Sequence, residues 1–236
     1  MSLAQVLAIV PARAGSNRLP GKNKKYLADK PLISWTFDAA RDIPEICDIL
    51  VSTDDPEIVG IAKSQGVLAP WLRPPELATA TANTVDVAIH ALNWYEENHQ
   101  IVDGILILQP TSPFRSSETI KLGINLFIES GFLPVVSVSQ THAHPLWTFT
   151  LENDSLVPFI DSRGLNLRSQ DLPPAYVLNG NLYLIASNTL RKSKQIILPN
   201  TRAIVVESVI ESLDIDTEED WFVAEAYCKR YTEFQG

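Results

Sequence analysis

A basic, glycine-containing segment near the start of the chain has the residue types needed to bind an anion. It reads PARAGSNRLPGKNKK from Pro11 to Lys25, and its cationic side chains include Arg13, Arg18 and Lys22. Glycines allow backbone N–H groups to turn toward a phosphate, and cationic side chains neutralise its charge. The segment therefore predicts a phosphate-binding loop, and an ordinary solvated basic loop is the alternative that composition leaves open.

The spacing in this loop differs from two common phosphate-binding motifs. A Walker A loop has four residues between its glycines and a Ser or Thr after its lysine. Here five residues separate Gly15 from Gly21, and Asn23 follows Lys22. A GxGxxG fingerprint of dinucleotide-binding folds is also absent after the preceding apolar run. The loop is therefore predicted to bind phosphate in another arrangement.

Two acids near the carboxyl end, Asp214 and Asp216, have the spacing of a cation site. On an extended segment, residues i and i+2 point the same way, so both carboxylates can reach one hard cation. Helix capping is the alternative, because Asp216 or Thr217 could cap a helix that begins near Glu218. Capping explains one acid well and two poorly, so the pair favours a site for one hard cation, and both roles can coexist.

Two further groups of polar residues have weaker chemical interpretations. The pair Asp54–Asp55 follows an apolar run and precedes Pro56. Helix capping and a catalytic role are both open for it. His142 and His144 lack a convincing third ligand, so the sequence does not predict a zinc site.

These residues lie at the ends of elements that alternate along the first part of the chain. Short apolar runs predict strands at residues 6–10, 48–53, 104–109 and 134–138. Amphipathic patterns predict helices at residues 32–41, 56–65, 85–97 and about 117–130. This alternation predicts an α/β fold with a mostly parallel sheet covered by helices on both faces. Ligands in such folds bind beyond the carboxyl ends of the strands.

The alternation stops at about residue 141. Residues 141–174 are rich in proline and aromatic side chains without a long helical period, which predicts an inserted lobe, such as a hairpin arm. Regular structure resumes with predicted strands at 181–185 and 203–206 and a closing helix at about 218–231. The whole chain, 1–236, is therefore predicted to be one domain with a small inserted lobe at about 141–174.

The composition restricts the classes of function and the compartment. The 236 residues carry a formal net charge of −9, which argues against a broad nucleic-acid-binding surface because such surfaces cluster Lys and Arg. The apolar runs are too short to span a bilayer, and the start of the chain has no pattern of a secretory signal. The two cysteines, Cys47 and Cys228, have no CxxC spacing. We therefore expect a cytoplasmic protein that binds neither nucleic acid nor membranes.

The loop and six further segments resemble, in order, the acylneuraminate cytidylyltransferases. PARAGSNRLPGKN is similar to the family's loop, which is usually close to PARGGSKGIPGKN. The further segments are STDD at 52–55, RPPEL at 73–77, LQPTSPFR at 108–115, QDLPP at 170–174, NG at 179–180 and DIDTE at 214–218. Together they cover almost the whole chain, which makes the resemblance specific.

This resemblance implies a Rossmann-like nucleotidyltransferase fold, similar to glycosyltransferase A, that transfers CMP from CTP to the anomeric hydroxyl of a nonulosonic acid. It implies nucleotide binding by Ala12, Arg13, Ser16, Asn23, Arg73 and Thr84. It implies catalytic roles for Arg13, Lys22 and Asp216, and Mg²⁺ binding by Asp214 and Asp216. It implies sugar contacts from Gln109, Arg168, Gln170 and Tyr183. Members are typically homodimers in which the lobe reaches over the partner's site, so we expect a homodimer.

Departures from the family pattern leave the sugar open. Ser169 and Val177 stand where the family often has arginine, and Ala80 stands where an acid is frequent. A sialic acid and a legionaminic-type sugar both fit. The run from Arg18 to Lys22 also resembles the cytidylyltransferases of the eight-carbon sugar 3-deoxy-manno-octulosonate, which is the nearest alternative. A non-catalytic, nucleotide-binding member of the fold is the alternative from another class.

Overall fold

The protein is built on one six-stranded sheet with helices on both faces. A computed structural model describes residues 3–15 and 18–233. Its strands are β1 (Val6–Pro11), β2 (Tyr26–Leu27), β3 (Lys30–Pro31), β4 (Ile46–Ser52), β5 (Gly104–Ile107), β6 (Val135–Gln140), β7 (Phe149–Glu152), β8 (Ser155–Pro158), β9 (Tyr176–Ala186) and β10 (Arg202–Val205). Its α-helices are α1 (Leu32–Ala40), α2 (Pro56–Ser64), α3 (Thr84–Asn98), α4 (Ser117–Glu129), α5 (Ser187–Ser193) and α6 (Glu218–Glu233).

The large sheet has the strand order β10-β6-β9-β5-β1-β4. Strand β1 pairs in parallel with both β4 and β5, and β10 pairs in parallel with β6. Strand β9 runs antiparallel to its two neighbours, β5 and β6. The predicted fold class, a mostly parallel sheet with helices on both faces, is confirmed. The antiparallel direction of β9 and its start at Tyr176 were not predicted, because only its apolar second half gave a strand signal.

The apolar run of β1 is continuous because both of its faces are buried. Val6, Ala8 and Val10 belong to a core cluster that includes side chains of α1, α2 and α4. The intervening Leu7 and Ile9 belong to a second cluster on the other face, with side chains of α3 and α5. A strand covered on both sides is uniformly apolar, which is the pattern that predicted it.

A third cluster joins the basic loop to the carboxyl-terminal helix. Leu19, from the loop, packs with Ile215 and with Trp221 of α6. Ile215 lies between the two acids of the predicted metal site. Apolar packing therefore holds the basic loop and the acidic segment next to each other, which no local sequence pattern indicated.

Residues 141–174, predicted to form an inserted lobe, contain the hairpin of β7 and β8, which forms its own two-stranded sheet. The hairpin side chains Phe149, Leu151 and Leu156 are exposed in the single chain. Two 3₁₀ turns, Pro145–Trp147 and Ser169–Asp171, complete this region. Helix α5 was not predicted, because Leu190 is the only buried apolar side chain in its short, polar sequence. None of the helices in the described part of the chain has the length and apolar character needed to cross a membrane.

Candidate active site

The carboxyl ends of β1, β4 and β5 open into a cavity of about 460 Å³. The basic loop, the segment between α2 and α3, the first turn of α3, the segment after β5 and the acidic segment before α6 all contribute to it. Its lining includes these residues singled out from the sequence: Arg13, Lys22, Asn23, Arg73, Thr84, Gln109, Asp214 and Asp216. The cavity therefore lies where an α/β sheet is expected to bind its ligand.

The lining of this cavity is cationic although the protein as a whole is acidic. Its cations are Arg13, Arg18, Lys22 and Arg73, and its acids are Asp214 and Asp216. Four positive charges against two negative ones favour an anion with several charges. A local field of this kind acts inside a cleft even when the net charge is −9.

Lys22 connects the basic loop to the acidic segment. Its ammonium donates hydrogen bonds to the backbone oxygen of Ile215 and to Oδ1 of Asp216, both at 2.8 Å. The side chain is largely buried, whereas Arg18, which pairs with the other oxygen of Asp216, is mostly exposed. Asp216 thus lies between two cations. It must give up at least one of these two ion pairs when it binds another cation.

The capping alternative for Asp216 is decided by the hydrogen bonds at the start of α6. The hydroxyl of Thr217 accepts a bond from the backbone N–H of Asp220 at 3.2 Å. In return, Oδ2 of Asp220 accepts bonds from the backbone N–H groups of Thr217, at 2.8 Å, and of Asp216, at 3.0 Å. This reciprocal arrangement is a capping box, and it leaves the carboxylate of Asp216 to the cavity.

Asp214 lies at the other end of the acidic segment and is open to the cavity. Burial by the surrounding protein raises the pKa of its carboxyl, a hydrogen bond from Thr111 opposes the shift, and the charge of Asp216 adds to it. Two carboxylates that repel each other in a partly dry site favour a cation between them. Mg²⁺ in nucleotide enzymes typically takes one or two carboxylates and completes its shell with phosphate oxygens and water. Asp214 and Asp216 therefore fit that ion, and among the described residues no group of three or more His, Cys, Asp or Glu forms a self-sufficient metal site.

Asn23 and Arg73 are buried polar side chains of the cavity wall. The amide nitrogen of Asn23 donates to the backbone oxygen of Arg13 at 3.3 Å, while its Oδ1 is buried without a partner in the described structure. A buried acceptor without a donor is costly, so this oxygen is suited to a donor group of a ligand. The guanidinium of Arg73 bonds to the hydroxyl of Ser52 at 3.0 Å and to its backbone oxygen. Burial lowers the pKa of Arg73, Asp54 raises it, and Arg13 lowers it.

Asp54 and Asp55 have structural roles. Oδ1 of Asp55 caps α2 by accepting from the backbone N–H of Glu57 at 2.9 Å, and its other oxygen pairs with Lys24. Oδ1 of Asp54 accepts from the backbone N–H of Ala14 at 2.8 Å, which fixes the start of the basic loop. Neither acid lines the cavity, so the capping interpretation accounts for Asp55.

Two predicted nucleotide contacts, Ala12 and Ser16, are not seen in the cavity lining, for different reasons. Ala12 is fully buried, and its backbone N–H bonds to the oxygen of Ser52 at 2.9 Å, so that donor is already used. Ser16 lies outside the described residues.

A second, larger cavity of about 950 Å³ adjoins the first, and Gln109 and Asp214 belong to both linings. Tyr183, predicted to contact the sugar, lies here. Burial raises the pKa of its hydroxyl, and Asp214 raises it further. Arg168 and Gln170, the other predicted sugar contacts, are exposed on the lobe and line neither cavity; Arg168 pairs with Asp171 at 2.9 Å.

Gln109 stands between the cavities because Gly180 leaves room for it. Gly180 has a left-handed φ of 76°, and a Cβ there would lie 2.7 Å from Oε1 of Gln109. Arg115, fully buried below, donates to the backbone oxygen of Gln109 at 2.8 Å and to that of Asn181. Burial lowers the pKa of Arg115, to about 9, while Glu211 and Asp214 oppose the shift. The motifs LQPTSPFR and NG therefore form one support for the Gln109 side chain.

Sequence reasoning missed several lining residues. Thr111 bonds to Asp214 and lies inside LQPTSPFR, so the motif itself was the available signal. Ser139 of the second cavity is far along the chain from Val205 and Val209, and none of the three carries a chemical signal of its own. They meet only because β6 lies between β9 and β10.

Comparison with known proteins gives a consistent result. Residues 7–225 match the family described as Cytidylyltransferase. The chain is 38% identical over 230 residues to the CMP-N,N'-diacetyllegionaminic acid synthase of Legionella pneumophila, covering 94% of this chain and 95% of that protein. It is 34% identical over 217 residues to the N-acylneuraminate cytidylyltransferase of Streptococcus agalactiae, covering 91% of this chain and 51% of that protein. The chain thus spans about half the length of this second relative.

The fold also matches solved structures. A CMP:2-keto-3-deoxy-manno-octonic acid synthetase complexed with CTP superposes with a TM-score of 0.73, covering 97% of this chain and 100% of that one at 17% identity. At that identity the likeness shows the fold alone. The sequence relatives confirm the resemblance to acylneuraminate cytidylyltransferases that the motifs indicated. The chain is therefore a member of the cytidylyltransferase family.

Proposed function

We propose that this protein transfers CMP from CTP to the anomeric hydroxyl of a nonulosonic acid and releases pyrophosphate. The observation that carries the proposal is the pair of adjoining cavities, of which the cationic one suits a triphosphate and the other a sugar. Gln109 and Asp214 belong to both, so the reacting groups of two ligands would meet beside them. The relatives named for acylneuraminate and diacetyllegionaminic acid support the substrate class.

The cationic cavity accounts for nucleotide binding and for the departure of pyrophosphate. The hydroxyl oxygen forms a bond to the α-phosphorus, and the bond from that phosphorus to the bridging oxygen breaks with its electron pair leaving on pyrophosphate. The proton of the hydroxyl passes to water or to the departing pyrophosphate. Such transfers depend on positioning and on neutralising charge. Arg13, Lys22 and the exposed Arg18 supply the positive charge. The unpaired Oδ1 of Asn23 would accept a hydrogen bond from a hydroxyl or amino group of the nucleoside.

Asp214 and Asp216 would hold Mg²⁺, which neutralises phosphate charge and orients the triphosphate when it is bound. In this chain Lys22 and Arg18 pair with Asp216. We infer that these cations turn toward the phosphates when the carboxylate takes the metal. Lys22 keeps a second bond to the backbone oxygen of Ile215, so it stays beside the acidic segment. It would thereby stabilise charge that grows on the leaving group.

We further propose that the active form is a homodimer in which the lobe of one protomer covers the sugar cavity of its partner. No lysine or arginine among the described residues lines that cavity, yet the substrate carries a carboxylate. Arg168 and Gln170 lie on the lobe, away from their own chain's cavities. The exposed apolar side chains of the hairpin need a covering surface, and a second copy of the chain would supply it.

A matched pair of variants tests the dimer. Leu151→Arg places a charge on the hairpin, and Leu122→Arg places one on the outer side of α4; the two leucines are 69% and 58% exposed. Light scattering should give a dimer for the wild type and for Leu122→Arg, and a monomer for Leu151→Arg. A monomeric wild type, or a dimer that Leu151→Arg leaves intact, would contradict the proposal.

We place the reaction in the cytoplasm, and this rests on cysteine chemistry. Cys47 and Cys228 form no disulfide in the described structure, which suits a reducing compartment. A thiol-specific reagent, added to cells before lysis or to the lysate, should label both cysteines to the same extent, because both are reduced. A mixed disulfide in freshly lysed cells would contradict the assignment.

The decisive experiment is pyrophosphate release from CTP and Mg²⁺ with three sugars offered in parallel. These are N-acetylneuraminate, a legionaminate-type sugar and 3-deoxy-manno-octulosonate. Release with a nine-carbon sugar supports the proposal, and release only with the eight-carbon sugar favours the alternative that the run from Arg18 to Lys22 resembles. CTP binding without release with any sugar would favour a non-catalytic, nucleotide-binding protein.

A further inference from the structure

The acidic segment before α6 is bonded at two points to the segment that follows β5. The backbone N–H of Ile215 donates to the backbone oxygen of Thr111 at 2.8 Å. Earlier in the acidic segment, Oε1 of Glu211 accepts from the backbone N–H and from the hydroxyl of Ser116, both at 3.0 Å. Ser116 caps α4, whose buried apolar side chains belong to the core. The backbone on both sides of Asp214 is therefore held against the core.

The two carboxylates of this segment are held by different kinds of partner. Asp216 pairs with Lys22 and Arg18, two cations that compete with a metal ion for the same oxygens. The carboxylate of Asp214 instead accepts a hydrogen bond from the hydroxyl of Thr111. An ionised carboxylate offers about four lone-pair sites, and one neutral donor uses only one of them. The bond from Thr111 can therefore stay in place while a cation binds.

Thr111 thus contacts both the backbone and the side chain of the predicted metal-binding segment. It lines the cationic cavity together with Asp214. Its backbone oxygen is bonded to Ile215, and its hydroxyl is bonded to the carboxylate. Groups that bond to a metal ligand from outside the coordination shell set the orientation of that ligand. Their loss typically lowers metal affinity or activity by roughly 10–100-fold.

We propose that Thr111 is a positioning residue that orients the carboxylate of Asp214 for a divalent cation before the nucleotide binds. The inference rests on the proposed function, because the cation is the one that the CMP transfer uses. Asp214 then gives the cation its first protein contact. Asp216 follows when Lys22 and Arg18 turn from it toward the phosphates. In this role Thr111 acts through the carboxylate and touches neither substrate.

Four variants isolate the hydroxyl of Thr111. Thr111→Val removes the hydroxyl at nearly constant shape and keeps the backbone oxygen that holds Ile215. Thr111→Ser keeps the hydroxyl and should behave like the wild type. Thr201→Val is the matched control, because the Thr201 hydroxyl accepts from the backbone N–H of Leu198 at 2.8 Å and lines neither cavity. Asp214→Asn removes one charge of the metal site itself.

The first readout is cation binding without nucleotide or sugar. Mn²⁺ serves as the probe, since the electron paramagnetic resonance signal of the free ion falls as the ion binds. Thr111→Val should raise the Kd for Mn²⁺ by about 10–100-fold, and Asp214→Asn should raise it at least as much. Thr111→Ser and Thr201→Val should keep the Kd of the wild type.

The second readout is the Mg²⁺ dependence of pyrophosphate release at saturating CTP and sugar. Thr111→Val should need about 10–100-fold more Mg²⁺ for its half-maximal rate. Excess Mg²⁺ should restore most of its kcat, because mass action refills a weakened site but does not repair a disturbed fold. A kcat that excess Mg²⁺ does not raise would show a structural defect and would contradict the positioning role.

The outcomes separate this inference from the function on which it rests. Absence of pyrophosphate release with every sugar would overturn the proposed function. Release by a wild type that leaves the free Mn²⁺ signal unchanged would overturn the inference alone, since the site would then form only with nucleotide. An unchanged Kd for Mn²⁺ in Thr111→Val, or an equal rise in Thr201→Val, would refute the role of Thr111. An unchanged Kd in Asp214→Asn would show that the cation binds elsewhere, and the inference fails with it.

Discussion

Gly180 offers a test of how the two cavities are joined. Gly180→Ala adds one methyl group at a left-handed φ of 76°, where its Cβ would lie 2.7 Å from Oε1 of Gln109. Real Cβ contacts are not that short, so the terminal amide of Gln109 must move. Gly66 has almost the same φ, 71°, and a Cβ there meets nothing within 4 Å. The pair separates the backbone cost of alanine from the displacement of Gln109.

The two effects have different magnitudes and different readouts. An L-residue in the left-handed region costs about 1–2 kcal/mol, which both variants pay. For a chain of this length, 1 kcal/mol corresponds to about 2–4 °C in Tm, so both variants should melt roughly 2–8 °C below the wild type. A displacement of about 1 Å at a reacting group costs on the order of 10² in rate. Only Gly180→Ala should therefore lose about 10²-fold in kcat/KM for the sugar.

The assay is thermal unfolding combined with steady-state pyrophosphate release, and a third variant identifies the mechanism. If Gly180→Ala acts through Gln109, the double variant with Gln109→Ala should be no less active than Gln109→Ala alone, because the side chain to be displaced is gone. The reasoning is refuted if Gly180→Ala and Gly66→Ala have equal kcat/KM. It is also refuted if the losses at positions 180 and 109 simply multiply.

Three further predictions concern the cationic cavity and its support. Lys22→Ala should lower kcat by about 10²–10³-fold with an unchanged circular dichroism spectrum, and near-normal turnover would remove Lys22 from the mechanism. Asp216→Asn should move the Mg²⁺ titration of pyrophosphate release to higher concentrations, whereas an unchanged titration would leave Asp216 as an ion-pair partner only. Arg115→Met removes the donor to the buried backbone oxygen of Asn181 and one of two donors to that of Gln109, so the unfolding free energy in urea should fall by about 1–3 kcal/mol. A fall below 1 kcal/mol would show that the support is dispensable.

The sequence predicted the central elements because their signals are local. The run from Val6 to Val10 is apolar at every position since both faces of the sheet are covered. Helix starts were marked by side chains that do cap, such as Asp55 before α2. The cationic cavity was also largely predictable, because an anion site requires particular residue types in one loop.

The sugar cavity was not predictable in the same way. Its wall depends on β9 running antiparallel between β5 and β6. This pairing joins strands that are far apart in the sequence, so no local pattern specifies it. Val205 and Val209 look like ordinary apolar residues until that pairing places them near Val177. No local sequence pattern specifies how the lobe would lie against a second protomer. The sugar contacts expected from Arg168 and Gln170 therefore stay predictions.

Strand β9 has a further consequence for how such an enzyme can change over generations. Tyr176, Val177 and Leu178 line the sugar cavity and are half exposed. After Gly180, the side chains of Leu182, Leu184 and Ile185 are fully buried in the core. Substitutions in the first half alter the ligand surface with little effect on stability, and those in the second half disturb packing. A lineage can therefore acquire a new sugar by substitutions at three residues of one strand, while the residues that bind CTP stay the same.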